Sequence, residues 1–548
     1  MVVVAAVVGL RLATRRVGGA LAAVMLAGGC GHLNETPPIW SPSVDAATYR
    51  NPIIFADYSD PDVVRVGDDF YMTSSSFTSF PGLPILRSHD LVNWRIVGHA
   101  LPSFPDTAFD HPQHGNGVWA PSIRYHDSQY YIYWGDPDRG VYVVRARDPR
   151  GPWDAPVLVK EARGWIDPSP LWDDDGNAYL VHAFANSRAG IKSVIHIAPL
   201  SADGLRVTGD DRLVFDGHAH HPTIEGPKFY KRGGYYYIFA PAGGVPTGWQ
   251  AVLRSRSVYG PYEDRIVLAQ GNTEVNGPHQ GAWVNTPGGE DWFVHFQDRG
   301  AYGRIVHLEP LQWRDGWPVI GTDPDGDGTG NPVSVYRRPA VASRSTSAGP
   351  QTSDAFDTTA LGLQWQWQAN PRREWWSLSA RPGWLRLEAE TMPSDDANLW
   401  PVSSLLLQKM PAPAFTASTQ LSFGSLRPGE RAGLIVMGLD YAYLAVRRSA
   451  NGVELAQMRA RDADRGSTEQ GISVPLDGTT VRLRVTVSAD AICQFSWSRD
   501  GTHYSLVGAP FTAREGKWIG AKVGLFAVGA GVGGPAGHAD FDAFVFDR

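Results

Sequence analysis

The sequence predicts an all-β protein in which a five-bladed β-propeller is followed by a β-sandwich, and three observations support this. The chain has 548 residues, more than one hydrophobic core usually organises, so two domains are expected. It contains 60 glycines, 41 prolines, 20 Trp, 20 Tyr and 21 Phe, a composition that suits many short strands joined by tight turns. A strand pattern also recurs five times before residue 320.

Each copy of this pattern reads as a β-hairpin. A lead residue, usually with proline next or next but one, precedes a short apolar strand, a Gly or Asp turn and an aromatic strand. The leads are Asp60, Ala120, Asp167, Glu225 and His279. Their separations of 47 to 60 residues suit four strands per copy and are too long for a parallel β-helix. Five such units around one axis make a five-bladed propeller.

Three of the leads are carboxylates that the propeller would bring together. The first strand of each blade lines the central channel, so Asp60, Asp167 and Glu225 should meet at one rim. An Asp before Pro can simply cap a turn, but clustered carboxylates repel one another and usually mark a site of chemistry. Two acids beside aromatic platforms are the apparatus of glycoside hydrolysis, in which one protonates the leaving oxygen while the other activates water or attacks carbon.

The charge balance argues against nucleic acid as a partner. Acidic residues number 56 against 49 basic ones, the net charge is −7, and no basic run occurs. Abundant Trp in a mildly acidic chain favours a ligand with flat apolar faces and many hydroxyls. We therefore expect an oligosaccharide or polysaccharide as the partner.

Residues 1–30 predict export. Three arginines within residues 11–16 precede a short apolar stretch of small residues, the layout of a secretory signal. The stretch ends in Ala-Gly-Gly-Cys at 27–30 and resembles a bacterial lipobox, although the usual Leu is displaced to Leu26. We expect lipidation of Cys30, with an ordinary signal peptide as the alternative. The protein is then periplasmic, on the cell surface or extracellular, and reaches a membrane only through this anchor.

Five motifs resemble those of a known family. They are SDPD at 59–62, VWAPSIRYH at 118–126, IDPSPLW at 166–172, IEGPKFYK at 224–231 and GRIVHLEPLQW at 303–313. In these motifs the chain resembles glycoside hydrolase family 43, whose fold is a five-bladed propeller. The match covers about residues 49–340.

The resemblance implies roles for the three acids. Asp60 matches the general base, Glu225 the general acid, and Asp167 the third carboxylate that tunes the acid and orients the substrate. Family members invert the anomeric configuration in one displacement, which requires base and acid to lie about 6.5–9.5 Å apart. No cofactor is required for this reaction.

Other positions match substrate contacts of the family. Arg304 resembles the arginine at the bottom of the pocket, although a strand-end ion pair is an alternative. Trp119 and Phe80 match aromatics near the sugar, although packing between blades would also explain them. His279 matches a central histidine that binds substrate and, in some members, calcium through water. A neutral imidazole is a poor direct ligand for that hard cation, so calcium stays an open candidate.

The last third of the chain predicts a jelly-roll sandwich of two sheets, since strands there alternate apolar and polar residues. It resembles the concanavalin-A-like domain of xylosidase members, which implies a loop over the propeller mouth and an exo-acting pocket. Phe526 is the candidate residue of that loop. A packing or polysaccharide-binding module is the alternative. The predicted divisions are a signal at 1–30, a linker at 31–48, the propeller at 49–340, a linker at 341–353 and the sandwich at 354–548.

Together these features predict an exported, inverting glycoside hydrolase. It would remove β-D-xylose, α-L-arabinofuranose or both from xylan- or arabinoxylan-type oligosaccharides. One alternative is a sugar-binding propeller lipoprotein without catalysis. Another is an enzyme of the same family that acts on arabinan or galactan.

Overall fold

Five four-stranded antiparallel sheets form the first part of the structure and confirm the predicted propeller. The computed structural model describes residues 38–342, 349–393, 398–529 and 536–548. The signal and Cys30 lie outside the described residues, as do parts of both predicted linkers. Within each blade the four strands follow one another in chain order. The first strands of blades 1 to 4 contact one another, and the first strand of blade 5 contacts that of blade 1. The ring is thereby closed.

The strands before and within the blades have these bounds. The first is β1 (Thr48–Arg50). Blade 1 contains β2 (Asp62–Val66), β3 (Asp69–Thr73), β4 (Gly82–Ser88) and β5 (Arg95–Leu101). Blade 2 contains β6 (Trp119–His126), β7 (Gln129–Asp136), β8 (Gly140–Ala146) and β9 (Val157–Glu161). Blade 3 contains β10 (Trp165–Trp172), β11 (Ala178–Phe184), β12 (Val194–Leu200) and β13 (Arg212–Asp216).

The last two blades complete the ring. Blade 4 contains β14 (Lys228–Arg232), β15 (Tyr235–Ala242), β16 (Trp249–Ser255) and β17 (Glu263–Leu268). Blade 5 contains β18 (His279–Asn285), β19 (Asp291–Asp298), β20 (Arg304–Arg314) and β21 (Trp317–Ile320). After it, β22 (Val335–Arg337) pairs antiparallel with β1. The Tyr49 hydroxyl donates to the Leu308 carbonyl at 2.7 Å, so the two ends of the propeller meet on blade 5.

The lead positions share a left-handed backbone. The angle φ is +55° at Asp60, +37° at Ala120, +58° at Asp167, +58° at Gly226 and +36° at Gln280. The equivalent residues of blades 4 and 5 are therefore Gly226 and Gln280, so the predicted leads Glu225 and His279 each lie one residue earlier. In blade 4 the proline that follows the lead marks the true register, because Pro227 follows Gly226.

Two eight-stranded sheets form the predicted sandwich. The first sheet contains β23 (Gln366–Trp367), β26 (Glu390–Thr391), β27 (Leu406–Lys409), β29 (Arg431–Met437), β30 (Tyr441–Ser449), β31 (Gly452–Ala460), β32 (Gln470–Pro475) and β37 (Lys522–Gly529). The second contains β24 (Trp376–Ser377), β25 (Leu385–Glu388), β28 (Phe415–Ser422), β33 (Thr480–Ser488), β34 (Ile492–Ser498), β35 (Ser505–Leu506), β36 (Phe511–Thr512) and β38 (His538–Asp547). Their facing sides share one core, which includes Leu434, Leu525, Val485 and Phe541.

Helices are short in the described ranges. They comprise α1 (Asn186–Ala189) and 3-10 turns at Thr107–Asp110, Gly300–Tyr302, Arg373–Trp375, Ala463–Arg465 and Ala489–Ala491. Among the described residues, no helix has both the length and the apolar character needed to cross a membrane.

The propeller and the sandwich pack against each other within one compact unit, Pro37–Arg548. Phe80 of the propeller and Trp367 of the sandwich exchange two backbone hydrogen bonds, at 3.0 and 2.6 Å. The buried ammonium of Lys522 donates to the Ser79 hydroxyl at 2.6 Å. Burial and the nearby positive charge of Lys409 together lower the pKa of Lys522 to about 7. The loop that precedes β4 is thus fixed by the second domain.

Tyr302 of blade 5 reaches into the sandwich core. Its hydroxyl donates to the Pro413 carbonyl at 2.7 Å and accepts from the backbone N–H of Ala491 at 2.9 Å. Tyr302→Phe leaves those buried groups without a partner, so we expect the free energy of unfolding to fall by about 1–3 kcal/mol. Chemical denaturation measures this change. Tyr125→Phe, at a side chain 42% exposed, is the control and should change it by less than about 0.5 kcal/mol. Equal effects of the two variants would contradict the prediction.

Candidate active site

Asp60 lies on the loop before β2 with its carboxylate buried and hydrogen-bonded. The Ser75 hydroxyl donates to Oδ2 at 2.6 Å, and Arg304 Nη1 lies 3.1 Å from Oδ1. A carboxylate that accepts from a guanidinium and a hydroxyl is held in one orientation. It can accept a proton from a water molecule in the channel mouth, which is the task of a general base.

Asp167 faces the same channel from blade 3. The backbone N–H of Gly226 donates to its Oδ2 at 2.7 Å, which links it to the residue after Glu225. Burial raises the pKa of Asp167 to about 8, and the negative charges of Glu225 and Asp60 act in the same direction. At neutral pH Asp167 therefore retains a proton, and its carboxyl group lies beside Glu225.

Glu225 is the more accessible acid of the cluster. Its side chain is 34% exposed, against 7% for that of Asp60. The one-residue offset in blade 4 accounts for this difference, since Gly226 rather than Glu225 takes the inward lead position. His279 Nε2 lies 3.0 Å from Glu225 Oε1 and orients it. An exposed, oriented carboxyl is placed to reach the oxygen of a leaving group.

Arg304 is positioned by a carboxylate that the sequence analysis did not single out. Asp57 Oδ1 accepts from the backbone N–H of Arg304 at 2.9 Å, and its Oδ2 accepts from Gly520 of the sandwich at 3.1 Å. The guanidinium carbon lies 4.8 Å from the centre of the Phe296 ring. One buried aspartate therefore joins the pocket arginine to the second domain.

The aromatic residues at the mouth differ from the predicted set. Trp119 is partly buried at the mouth, 6.2 Å from Phe77 and 6.4 Å from Trp518 between ring centres. Trp518 belongs to a sandwich loop, is 52% exposed and has a φ of +64°. Phe77 is itself buried and packs edge-on against Trp119, so it supports that ring and is not open to a sugar. Trp518 follows Lys517 in a polar turn without a strand pattern.

Two predicted substrate contacts are wrong. Phe80 is fully buried and packs against Phe104 and Phe109 inside blade 1 and its neighbour. Phe526 is also fully buried, because it lies within β37 and its ring packs edge-on against Tyr443. Neither side chain is available to a sugar in the channel mouth.

The surroundings of His279 do not by themselves make a calcium site. Its Nε2 faces Glu225, and its buried Nδ1 has no hydrogen-bond partner in the described part of the chain. Calcium prefers six to eight oxygen ligands. The groups of three ligating side chains found among the described residues lie elsewhere, at His182, His196 and Asp211, at His295, His307 and Glu309, and at Asp323, Asp325 and Asp327. Calcium on the axis therefore stays a prediction.

Comparison with known proteins identifies the family of the chain. The model of glycosyl hydrolases family 43 matches residues 49–318, and that of the beta xylosidase C-terminal concanavalin A-like domain matches residues 353–547. The chain belongs to glycoside hydrolase family 43. It is thus a glycosidase, and Asp60, Asp167 and Glu225 lie within the range that the family 43 model matches.

Several relatives in this family are named for pentose-releasing enzymes. A protein of Xylanibacter ruminicola whose name refers to beta-xylosidase activity is 41% identical over 87% of this chain and 86% of its own. A non-reducing end alpha-L-arabinofuranosidase of Bacteroides ovatus is 31% identical over 93% of this chain and 97% of its own. The crystal structure of a xylan beta-1,4-xylosidase from Bacillus halodurans superposes with a TM-score of 0.80 at 26% identity, covering 91% of this chain and 100% of that one.

The titration of Asp167 predicts a pH-dependent stability for this glycosidase. Because its pKa is raised in the folded state, the native protein holds the proton more tightly than the unfolded chain. That contribution is fully present below about pH 4 and is lost as pH rises to about 8. Asp167→Asn mimics the protonated form. We expect it to be more stable than the parent at pH 8, by on the order of 2 kcal/mol, while its turnover falls.

Denaturation at pH 4, 6 and 8 measures the effect. Asp127→Asn, at a side chain 83% exposed on a turn of blade 2, is the control and should follow the parent. A stability difference for Asp167→Asn that stays constant across this pH range would show that the carboxyl is not titrating as described.

Proposed function

We propose that this glycosidase removes single pentose units, β-D-xylose first, from the non-reducing ends of xylan-type oligosaccharides with inversion of configuration. The observation that carries the proposal is the arrangement of three carboxyl groups around one channel mouth. Asp60 is held by Arg304 and Ser75, while Asp167 retains a proton beside Glu225. An inverting hydrolase needs one carboxylate that accepts a proton and one carboxyl that donates one.

The reaction follows from these positions. Asp60 takes a proton from water as the water oxygen attacks the anomeric carbon. Glu225 gives its proton to the glycosidic oxygen as the bond to the leaving sugar breaks. Asp167 accepts a hydrogen bond from the Gly226 backbone N–H and thereby fixes the residue next to Glu225. The Arg304 guanidinium, fixed by Asp57, is suited to bind paired hydroxyls of the sugar. The reaction requires no cofactor.

The preference for a pentose rests on the relatives. A beta-xylosidase of Formosa agariphila is 33% identical over 91% of this chain and 90% of its own. The Bacteroides ovatus arabinofuranosidase supports α-L-arabinofuranose as a second substrate. The hydroxyl groups of β-D-xylose and α-L-arabinofuranose have similar spatial arrangements, so one pocket can accept either sugar.

A wall that the sandwich contributes beside Arg304 supports exo action. A cavity of about 480 Å³ adjoins the acid cluster through Arg304, and its lining includes Asp298 of blade 5 and Trp518 of the sandwich. Gly520 of the same loop is tied to Asp57. A wall contributed by the second domain leaves room for the end of a sugar chain and obstructs passage of a continuous polymer.

Export rests on the sequence alone. The charged and apolar segment in residues 1–30 and the small residues before Cys30 support secretion with a lipid anchor. Incorporation of labelled palmitate into the parent, but not into Cys30→Ala, would test this anchor in the producing cell. Label retained in Cys30→Ala would exclude Cys30 as its site.

Glu225→Gln removes the proton donor and tests its role. We expect turnover of xylobiose, which has a poor leaving group, to fall about 10²–10⁴-fold. Turnover of nitrophenyl β-xyloside should fall less, because its leaving group needs little protonation. Glu263→Gln, at an exposed ion pair of blade 4, is the matched control and should retain parent activity. Equal losses on both substrates would refute the assignment of Glu225 as the acid.

Inversion is tested on the parent enzyme. Proton NMR during hydrolysis of a β-xyloside should show α-xylose as the first-formed sugar. First appearance of β-xylose would exclude the single displacement. Release of arabinose from nitrophenyl α-L-arabinofuranoside, without release of xylose from nitrophenyl β-xyloside, would show that the enzyme is an arabinofuranosidase.

Trp518→Ala tests the wall that the sandwich contributes. Loss of an exposed aromatic platform should raise KM for xylobiose about tenfold with a smaller change in kcat. Trp384→Ala, at a tryptophan beside Arg381 in the sandwich, should leave KM unchanged. An unaltered KM for Trp518→Ala would remove this loop from the binding site.

A further inference from the structure

A second layer of side chains lies beyond the catalytic carboxyls along the channel. It is formed by the residues two positions after the lead in blades 1 to 4, namely Asp62, Ser122, Ser169 and Lys228. Two residues along a strand correspond to about 6–7 Å. All four residues have no solvent exposure. Asp62 therefore lies in this layer and not in the sugar pocket.

Lys228 crosses the channel within this layer. It begins β14 of blade 4, and its Nζ donates to the Pro121 carbonyl at 2.8 Å and to the Ser122 hydroxyl at 2.9 Å in blade 2. The ammonium thus passes blade 3, which carries Asp167. Lys228 is three residues after Glu225 along the chain, so the cation and the acid lie on one short segment.

A second cation, Arg124, completes the layer. Its Nη1 lies 2.6 Å from Asp62 Oδ2, and its Nη2 donates to the Ser169 hydroxyl at 2.7 Å. Asp62 Oδ2 also accepts from the backbone N–H of Ile123 at 2.7 Å. Asp62 is thereby paired with Arg124 and not with the lysine.

Lys228 is consequently a buried cation whose close partners are neutral. Among the described residues no carboxylate lies within 4.0 Å of its Nζ, and both of its acceptors are uncharged oxygens. Burial lowers the pKa of Lys228, while the charges of Asp62, Asp167 and Asp60 oppose that shift. A buried charge is costly unless opposite charges compensate for it. Here the compensation comes first from Asp62 of the same layer and then from Asp167 and Asp60 of the carboxyl cluster, and the positive charge of Arg124 acts against it.

We propose that Lys228 is a positioning residue that sets, through its positive charge, how many protons the three catalytic carboxyl groups hold. The proposal rests on the function proposed above. The charged and titratable groups facing this layer and the carboxyl groups beside it are Asp60 and Asp62 of blade 1, Arg124 of blade 2, Asp167 of blade 3, Glu225 and Tyr230 of blade 4 and His279 and Arg304 of blade 5. Without the cation Asp167 would retain its proton to higher pH.

Lys228→Met removes the charge and keeps an unbranched side chain of similar length. We expect both limbs of the pH profile of kcat/KM on xylobiose to move upward by about one pH unit. Lys228→Arg keeps the charge, so its limbs should stay at their parent positions even where its rate is lower. Lys231→Met is the matched control, because Lys231 lies on the same strand but pairs with Asp173 and Asp174 outside the channel. Its profile should equal that of the parent.

Asp62→Asn gives a second test with the opposite sign. It removes a negative charge from the layer and retains an amide oxygen that can accept from Ile123 and Arg124. The layer then carries excess positive charge, so both limbs should move to lower pH. If circular dichroism shows that Lys228→Met does not fold, the direction in which Asp62→Asn shifts the pH profile tests the proposal by itself.

The outcomes separate this proposal from the proposed function. Absence of xylose or arabinose release by the parent would refute the function. With an active parent, a lower rate for Lys228→Met at unchanged limb positions would show a merely structural role and overturn the inference. Limbs that move in the same direction for Lys228→Met and Asp62→Asn would overturn it as well.

Discussion

The concentration of carboxyl groups around one axis is the constraint on which the structure depends. Asp60, Asp167 and Glu225 would repel one another if each were ionised and isolated in a buried channel. The fold offsets this repulsion in three ways. Arg304 pairs with Asp60, a backbone N–H of blade 4 binds Asp167, and a proton is retained beside Glu225. In the proposed mechanism each of these contacts also serves hydrolysis, so the contacts that offset the repulsion are those that would make the cluster reactive.

The second domain belongs to this arrangement. Asp57 joins Arg304 to Gly520, and Lys522 fixes the loop that carries Ser79. Tyr302 extends from blade 5 into the sandwich core only two residues before Arg304. The orientation of a pocket side chain is therefore determined partly by packing on the far side of the domain interface.

The sequence could predict the fold and the acids because both are encoded in a repeat. Asp60 and Asp167 each precede a proline at the start of a blade, and this position has the same left-handed backbone in every blade. The offset of Glu225 was also readable, since Pro227 follows Gly226 and not the acid. Lys228 could have been found by extending the register two residues beyond that glycine.

Other site residues could not be predicted from the repeat. Phe77 and Phe80 lie three residues apart in one loop, and only the folded turn decides which one meets Trp119. Phe526 lies in an apolar strand, which indicates a core rather than a pocket. Trp518 lies in a short polar turn whose position depends on long-range packing. Local patterns specify strands well and specify the loops between domains poorly.

The tie between Asp57 and Gly520 has a consequence for how such enzymes can diversify. Asp57 and Gly520 are separated by most of the chain, yet the Asp57 carboxylate accepts from the Gly520 backbone N–H at the edge of the pocket. A recombination event in the linker would exchange the sandwich as an intact module, yet it would break this shared contact unless the incoming loop presented an N–H at the same place. New specificities in this lineage should therefore arise more readily by substitutions within the 515–520 loop than by shuffling whole domains.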